Sequence, residues 1–168
     1  ASLKRSPLTW LLEQTRKGEF GTAVIDVDPE LAKRMLAYNA KNRNLSQKTV
    51  EAYARDMVSG DWLMTGDPVR FDVKGNLIDG QHRLQAIAET GLTFKLLIVY
   101  GLEEKARYAL DMGRKRNPGD MLALMGHTRV TRLGSAARWL LTMKYGRRGH
   151  RMTAFEIIHM VDKHPKLP

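Results

Sequence analysis

Leu77-Ile78-Asp79-Gly80-Gln81-His82-Arg83-Leu84-Gln85-Ala86-Ile87 decides the fold of this chain. It reads as a short apolar strand, one tight turn, and a helix whose first turn carries His82 and Arg83. The first amides of a helix have no partner within it, and the helix dipole adds partial positive charge there, so a helix start receives anions. Gly80 is expected to let a ligand approach the backbone closely. Arg83 is expected to add a bidentate clamp, and His82 a proton that titrates near neutrality. A phosphate is the guest that suits this chemistry.

Upstream, Ser6-Pro7 predicts a capped helix over Pro7–Arg16, and the β-branched run Thr22–Val27 predicts a strand. Asp28-Pro29 opens a second helix, Pro29–Tyr38. A polar loop, Asn39–Asn44, leads to Ser46, the expected cap of a helix over Gln47–Ser59 that Gly60 ends. Pro68–Asp79 reads as a β-hairpin turning at Lys74-Gly75-Asn76. The signature helix runs Gln81–Thr90 and stops at Gly91.

Downstream, Phe94–Tyr100 is the most apolar strand and is expected to be central, followed by a helical stretch over Glu103–Leu110. Beyond it the strand signals cease. Asn117-Pro118-Gly119-Asp120 caps a helix over Met121–Met125, and Thr128–Tyr145 places Val130, Leu133, Ala137, Leu140 and Leu141 on one face. Thr153-x-x-Glu156 is a capping box for a last helix, Ala154–Val161. The expected fold class is therefore α/β (α+β): a small mixed sheet with flanking helices and a basic helical extension. The organisation is a lead-in over 1–21, an α/β domain over 22–125 and the extension over 126–168.

The chain has 168 residues with 43% apolar and 27% charged content, ordinary for a soluble globular domain. No apolar run reaches the length of a membrane span, and the apolar Trp10-Leu11-Leu12 is followed at once by Glu13 rather than by a longer signal-like core. The absence of cysteine excludes disulfides, thiolate chemistry and cysteine zinc sites, and fits a cytoplasmic location. Net charge is +10, unevenly placed: residues 101–168 hold 14 Lys and Arg against 6 Asp and Glu, and the first hundred hold 14 against 12. Basicity confined to one half points to a polyanion.

The run Gly80-Gln81-His82-Arg83-Leu84-Gln85-Ala86 resembles the phosphate-binding motif of the ParB/sulfiredoxin-like superfamily. With Asp79 it spells Asp-Gly-Gln-His-Arg, a string that labels a subgroup found in DNA-modification and mobile-element proteins. Asn42-Arg43-Asn44-Leu45-Ser46 is similar to the Arg-containing segment before the corresponding ParB helix, and the likeness covers roughly Thr22–Met125. The resemblance implies a small α/β fold that binds a nucleotide, CTP or ATP with magnesium, at this turn. ParB proteins hydrolyse CTP while clamping DNA, related kinases transfer phosphate, and sulfiredoxins use a cysteine that this chain lacks. Gln81 stands where the family usually has an acid. An amide can orient but not take a proton, which weakens hydrolysis.

The candidate phosphate-binding set is Gly80, Gln81, His82, Arg83, Arg43 and Asn44. Asp79 and His82 are the candidate proton-transfer groups. Asp79 alternatively caps the helix, and Arg83 alternatively pairs with Asp79 or Asp67. Candidate DNA contacts are Arg114, Lys115, Arg116, Arg129, Arg132, Arg147, Arg148 and Arg151, with Trp139 and Tyr145 as aromatics able to stack on bases or to serve the core. Asp111 and Asp120 lack a third ligand, so no metal site is expected.

The leading expectation is a nucleotide-responsive, DNA-associated protein of a phage, plasmid or DNA-modification system. The alternatives are a phosphotransfer or nucleotide-hydrolysing enzyme of the same fold, and a non-catalytic scaffold. The end, Asp162–Pro168, shows no domain finish. That suggests a longer chain or a partner for the helical part, a homodimer included.

Overall fold

A computed structural model describes residues 6–39, 42, 44–110, 117–146, 152–165 and 167. The chain divides into two compact units, 1–111 and 112–168. In the first, helix α1 (Pro7–Arg16) begins at Ser6, whose side chain accepts from the Thr9 amide. Strand β1 (Gly21–Val27) leads to α2 (Pro29–Leu36), capped by Asp28 through the Leu31 amide at 2.7 Å. Helix α3 (Gln47–Ser59) ends at Gly60 in the left-handed conformation. The hairpin strands β2 (Val69–Asp72) and β3 (Leu77–Asp79), helix α4 (Gln81–Thr90) and strand β4 (Phe94–Leu102) follow. A 3-10 turn over Glu104–Tyr108 stands where the sequence predicts a longer helix.

The four strands form one mixed sheet in the order β1-β4-β2-β3. Strand β4 pairs antiparallel with β1, from Gly21 opposite Tyr100 to Val27 opposite Phe94, and parallel with β2. The most apolar strand is thus internal, as its composition predicts. In β1 and β4 burial alternates along the strand, so one sheet face meets the helices and the other does not. The core beneath is built from Leu11, Met35, Val50, Phe71, Leu84 and Ile98, all fully buried, with their neighbours. Leu8 and Leu11 of α1 belong to this core, so the N-terminal segment is part of the unit rather than a lead-in.

The hairpin turn is organised by an acid. Asp72, fully buried, accepts from the amides of Lys74 at 2.9 Å and Asn76 at 2.8 Å and from Asn76 Nδ2 at 3.0 Å. The Arg107 guanidinium lies 3.6 Å from the same carboxylate. A charge can be buried here because these donors are all aimed at it.

The second unit is helical: α5 (Pro118–Leu124), α6 (Val130–Tyr145) and α7 (Ala154–Lys163). Asn117 with Asp120, and Thr153 with Glu156, close complete capping boxes. Leu122 packs with Leu133, Ala137, Leu141, Ile157 and Val161 in a second core. The sequence places α5 with the α/β domain. Leu122 instead completes the helical core, because α6 and α7 alone leave their apolar faces open.

Candidate functional site

The site expected from sequence lies where β3 becomes α4. Gly80 is the N-cap of α4 at φ +100, a conformation that disfavours any residue with a Cβ. A Cβ added there would sit 2.8 Å from Val69 Cγ2 and 3.2 Å from Val69 Cα. The close passage of β2 thus requires glycine here whether or not a ligand approaches. Its missing side chain also leaves the helix start without a side-chain cap.

Asp79 closes a three-way junction. Its Oδ1 accepts from the Gly80 amide at 2.7 Å, and its Oδ2 is ion-paired with Arg70, the residue opposite it on β2. Arg83 Nη2 approaches the same oxygen at 3.7 Å. Asp79 therefore holds the strand pair and helix together, close to the capping alternative, and both its oxygens are engaged rather than poised to take a proton. Arg83 donates to the Asp67 carbonyl and, at 2.7 Å, to the Pro68 carbonyl. Its guanidinium braces the entry to β2 against α4, with only 14% of the side chain exposed. In this geometry the fork is occupied by backbone oxygens.

Gln81 is buried, and its Oε1 accepts from Asn39 Nδ2 at 2.8 Å. Asn42 in turn donates to Asn39 Oδ1 and, at 2.8 Å, to the Leu77 carbonyl. These carboxamides fasten the loop after α2 to the β3–α4 junction. His82 Nε2 accepts from the Ser46 amide at 3.0 Å, so that nitrogen carries no proton in this arrangement and the ring caps the start of α3. Ser46 occupies the N-cap position without a side-chain bond to the α3 backbone; its hydroxyl accepts from Thr49 Oγ1 at 3.1 Å instead. The starts of α3 and α4 are therefore brought together, as two convergent helix ends would require.

Asn44 is exposed, two residues before Ser46. Arg43, Arg114, Lys115, Arg116, Arg147, Arg148 and Arg151 lie outside the described residues, as does Asp111. In the second unit Arg129 is the N-cap of α6, at φ +53, and is exposed along with Arg132 and Arg138. Trp139 is 63% exposed. Tyr145 packs against the second core with Lys144 Nζ 5.2 Å from its ring centre, which favours the core reading over base stacking. No three His, Asp or Glu side chains stand together as a metal site among the described residues.

Sequence reasoning missed Asn39, Asn42, Arg70 and Asp72. The Asn39/Asn42 spacing in a polar loop was a visible signal, but their partners lie 35 to 42 positions away. Arg70 and Asp79 could have been found from the hairpin register alone, since cross-strand neighbours of opposite charge attract.

No protein-family model matches this chain, and no curated protein or solved structure matches it either.

Proposed function

We propose that this chain is a ParB-like, nucleotide-responsive, DNA-associated protein of a phage, plasmid or DNA-modification system. One observation carries the nucleotide half: the α3 and α4 starts converge, with the Ser46 amide 3.0 Å from His82 Nε2. Both dipoles concentrate partial positive charge at that spot, where a phosphate group is favoured. The groups that would hold it are the backbone amides at Gln81 and His82, with the His82 ring and the Ser46 amide turning to the phosphate from their bond to each other. Magnesium would arrive on the nucleotide, because the nearby carboxylate of Asp79 is engaged by Arg70 and Arg83.

Binding without turnover is the reading this geometry favours. Gln81 is held by Asn39, Asp79 by its cations, and His82 Nε2 already accepts a hydrogen bond. General-base work needs a free acceptor within reach of the proton it takes.

Charge distribution supports the DNA half. Residues 112–168 hold 12 Lys and Arg against 3 Asp and Glu, a net +9, while residues 1–111 hold 16 against 15, a net +1. Of the three acids, Asp120 and Glu156 are committed to capping boxes. The helical unit therefore carries a strong net positive charge.

Calorimetric titration with CTP, ATP and GTP, each with and without magnesium, tests the first half. One of them is expected to bind, and His82→Ala is expected to weaken it while the fold persists. No heat from any nucleotide would leave a scaffold. DNA binding is expected to weaken with salt at a slope of about −0.9 per phosphate contacted on duplex. Binding that is absent, or indifferent to salt, would remove the second half.

A further inference from the structure

We infer that the outer face of α6 is a stacking platform for unpaired bases, so that the basic unit takes single-stranded nucleic acid through Trp139. The inference rests on the DNA-associated reading above and specifies its ligand.

The chain has three tryptophans. Trp10 and Trp62 are packed against the first core, each edge-to-face with another ring: Trp10 with Tyr100 at 5.6 Å, Trp62 with Tyr53 at 5.4 Å. Trp139 differs. It is 63% exposed in the middle of a 16-residue helix whose opposite face is the apolar seam of Leu133, Ala137 and Leu141. An exposed indole keeps a large apolar area in water, which a partner that covers it would release.

The surroundings of Trp139 specify the occupant. At 100° per residue, Arg132, Ala136, Trp139 and Met143 fall within one narrow stripe. The turn before Trp139, over which its side chain leans, carries Ser135 and Ala136, which are too short to cover an indole. Met143, 63% exposed, extends the apolar strip by one turn with a polarizable thioether. Arg132 lies within the strip, two turns before Trp139, and Arg138 lies about 100° round the helix from Trp139; both are exposed, and among the described residues neither is ion-paired. An exposed flat aromatic in line with the exposed Arg132, on a unit of net +9, matches a polyanion that carries flat faces of its own. Bases of a duplex present those faces only to each other, whereas bases of a single strand offer them to a protein.

Fluorescence anisotropy of the whole chain with labelled oligothymidine, and with a duplex of equal length, tests this over a series of salt concentrations. Trp139→Ala is expected to lower single-strand affinity by about 5- to 150-fold, the range for removing one stacked base, with the salt slope and melting temperature unchanged. Trp139→Phe should retain most of the affinity. Arg132→Ala/Arg138→Ala should instead flatten the salt slope, by about 0.7 for each single-strand phosphate that is no longer neutralised. Single-strand affinity unmoved by Trp139→Ala overturns the inference while leaving DNA association standing. So does a loss confined to the duplex, or a change of oligomeric state alone in sedimentation. A wild-type chain that binds neither form overturns both readings.

Discussion

Gly80→Ala isolates the reason for a glycine at the signature turn. Two penalties apply. At φ +100 an L-residue enters the left-handed half of conformational space, at roughly 1–2 kcal/mol. The new Cβ also meets Val69 Cγ2 at 2.8 Å, Cγ1 at 3.1 Å and Cα at 3.2 Å. Val69 is fully buried on β2, which pairs with strands on both sides, so its backbone cannot retreat. Overpacking of that kind typically adds about 1–3 kcal/mol, giving a total of about 2–5 kcal/mol. Gly91, at the other end of the same helix, is the internal control. Its φ is +75 and nothing lies within 4 Å of an added Cβ, so Gly91→Ala carries the backbone penalty alone. Urea denaturation followed by far-UV circular dichroism compares the two through their midpoints at constant slope. Gly80→Ala is expected to be the more destabilising by about 1–3 kcal/mol, and Val69→Ala in the same chain to recover part of the difference. Equal midpoints for the two alanine variants would refute the packing argument.

Asp72→Ala removes the acceptor of three turn bonds and the carboxylate beside Arg107, 11% exposed; a loss of about 3–5 kcal/mol is expected by chemical denaturation. Leu122→Ala opens a cavity in the second core at about 2–5 kcal/mol, and hydrogen exchange should show faster opening of α5–α7. The hydrogen bond and charge of Glu104 hold the Lys74 ammonium above the ordinary lysine range. A raised folded-state value stabilises the fold at pH below the ordinary lysine value, and the contribution disappears as pH rises through the raised one. Glu104→Gln should return the Lys74 titration toward ordinary in a nitrogen-detected spectrum. Unchanged titration would mean the pair does not persist in solution.

Local chemistry made much of this molecule legible before any contact was known. Ser6-Pro7, Asp28-Pro29, Asn117-Pro118 and Thr153 mark their helix starts because capping is an interaction within four residues. Gly60 and Gly91 mark helix ends for the same local reason, a backbone that must turn left-handed. The strand–turn–helix at Leu77–Ile87, the hairpin, and the internal place of Phe94–Tyr100 follow from apolar patterning over a few residues. Even the isolation of positive charge in the helical half is a property of composition.

Packing between distant segments set where each polar group of the signature spends its bonds. Arg83 reads as a phosphate clamp in isolation and turns out to grip the Asp67 and Pro68 carbonyls, because the approach of β2 brings those oxygens to it. His82 caps a helix that starts 36 positions earlier, Gln81 is claimed by Asn39, and Asp79 is shared by Arg70 and Arg83. Leu122 joins the helical core rather than the α/β unit. A donor or an apolar side chain carries no mark of its partner in its own residue type. The partner is fixed when distant segments pack and each buried polar group must be satisfied by whatever atoms then surround it.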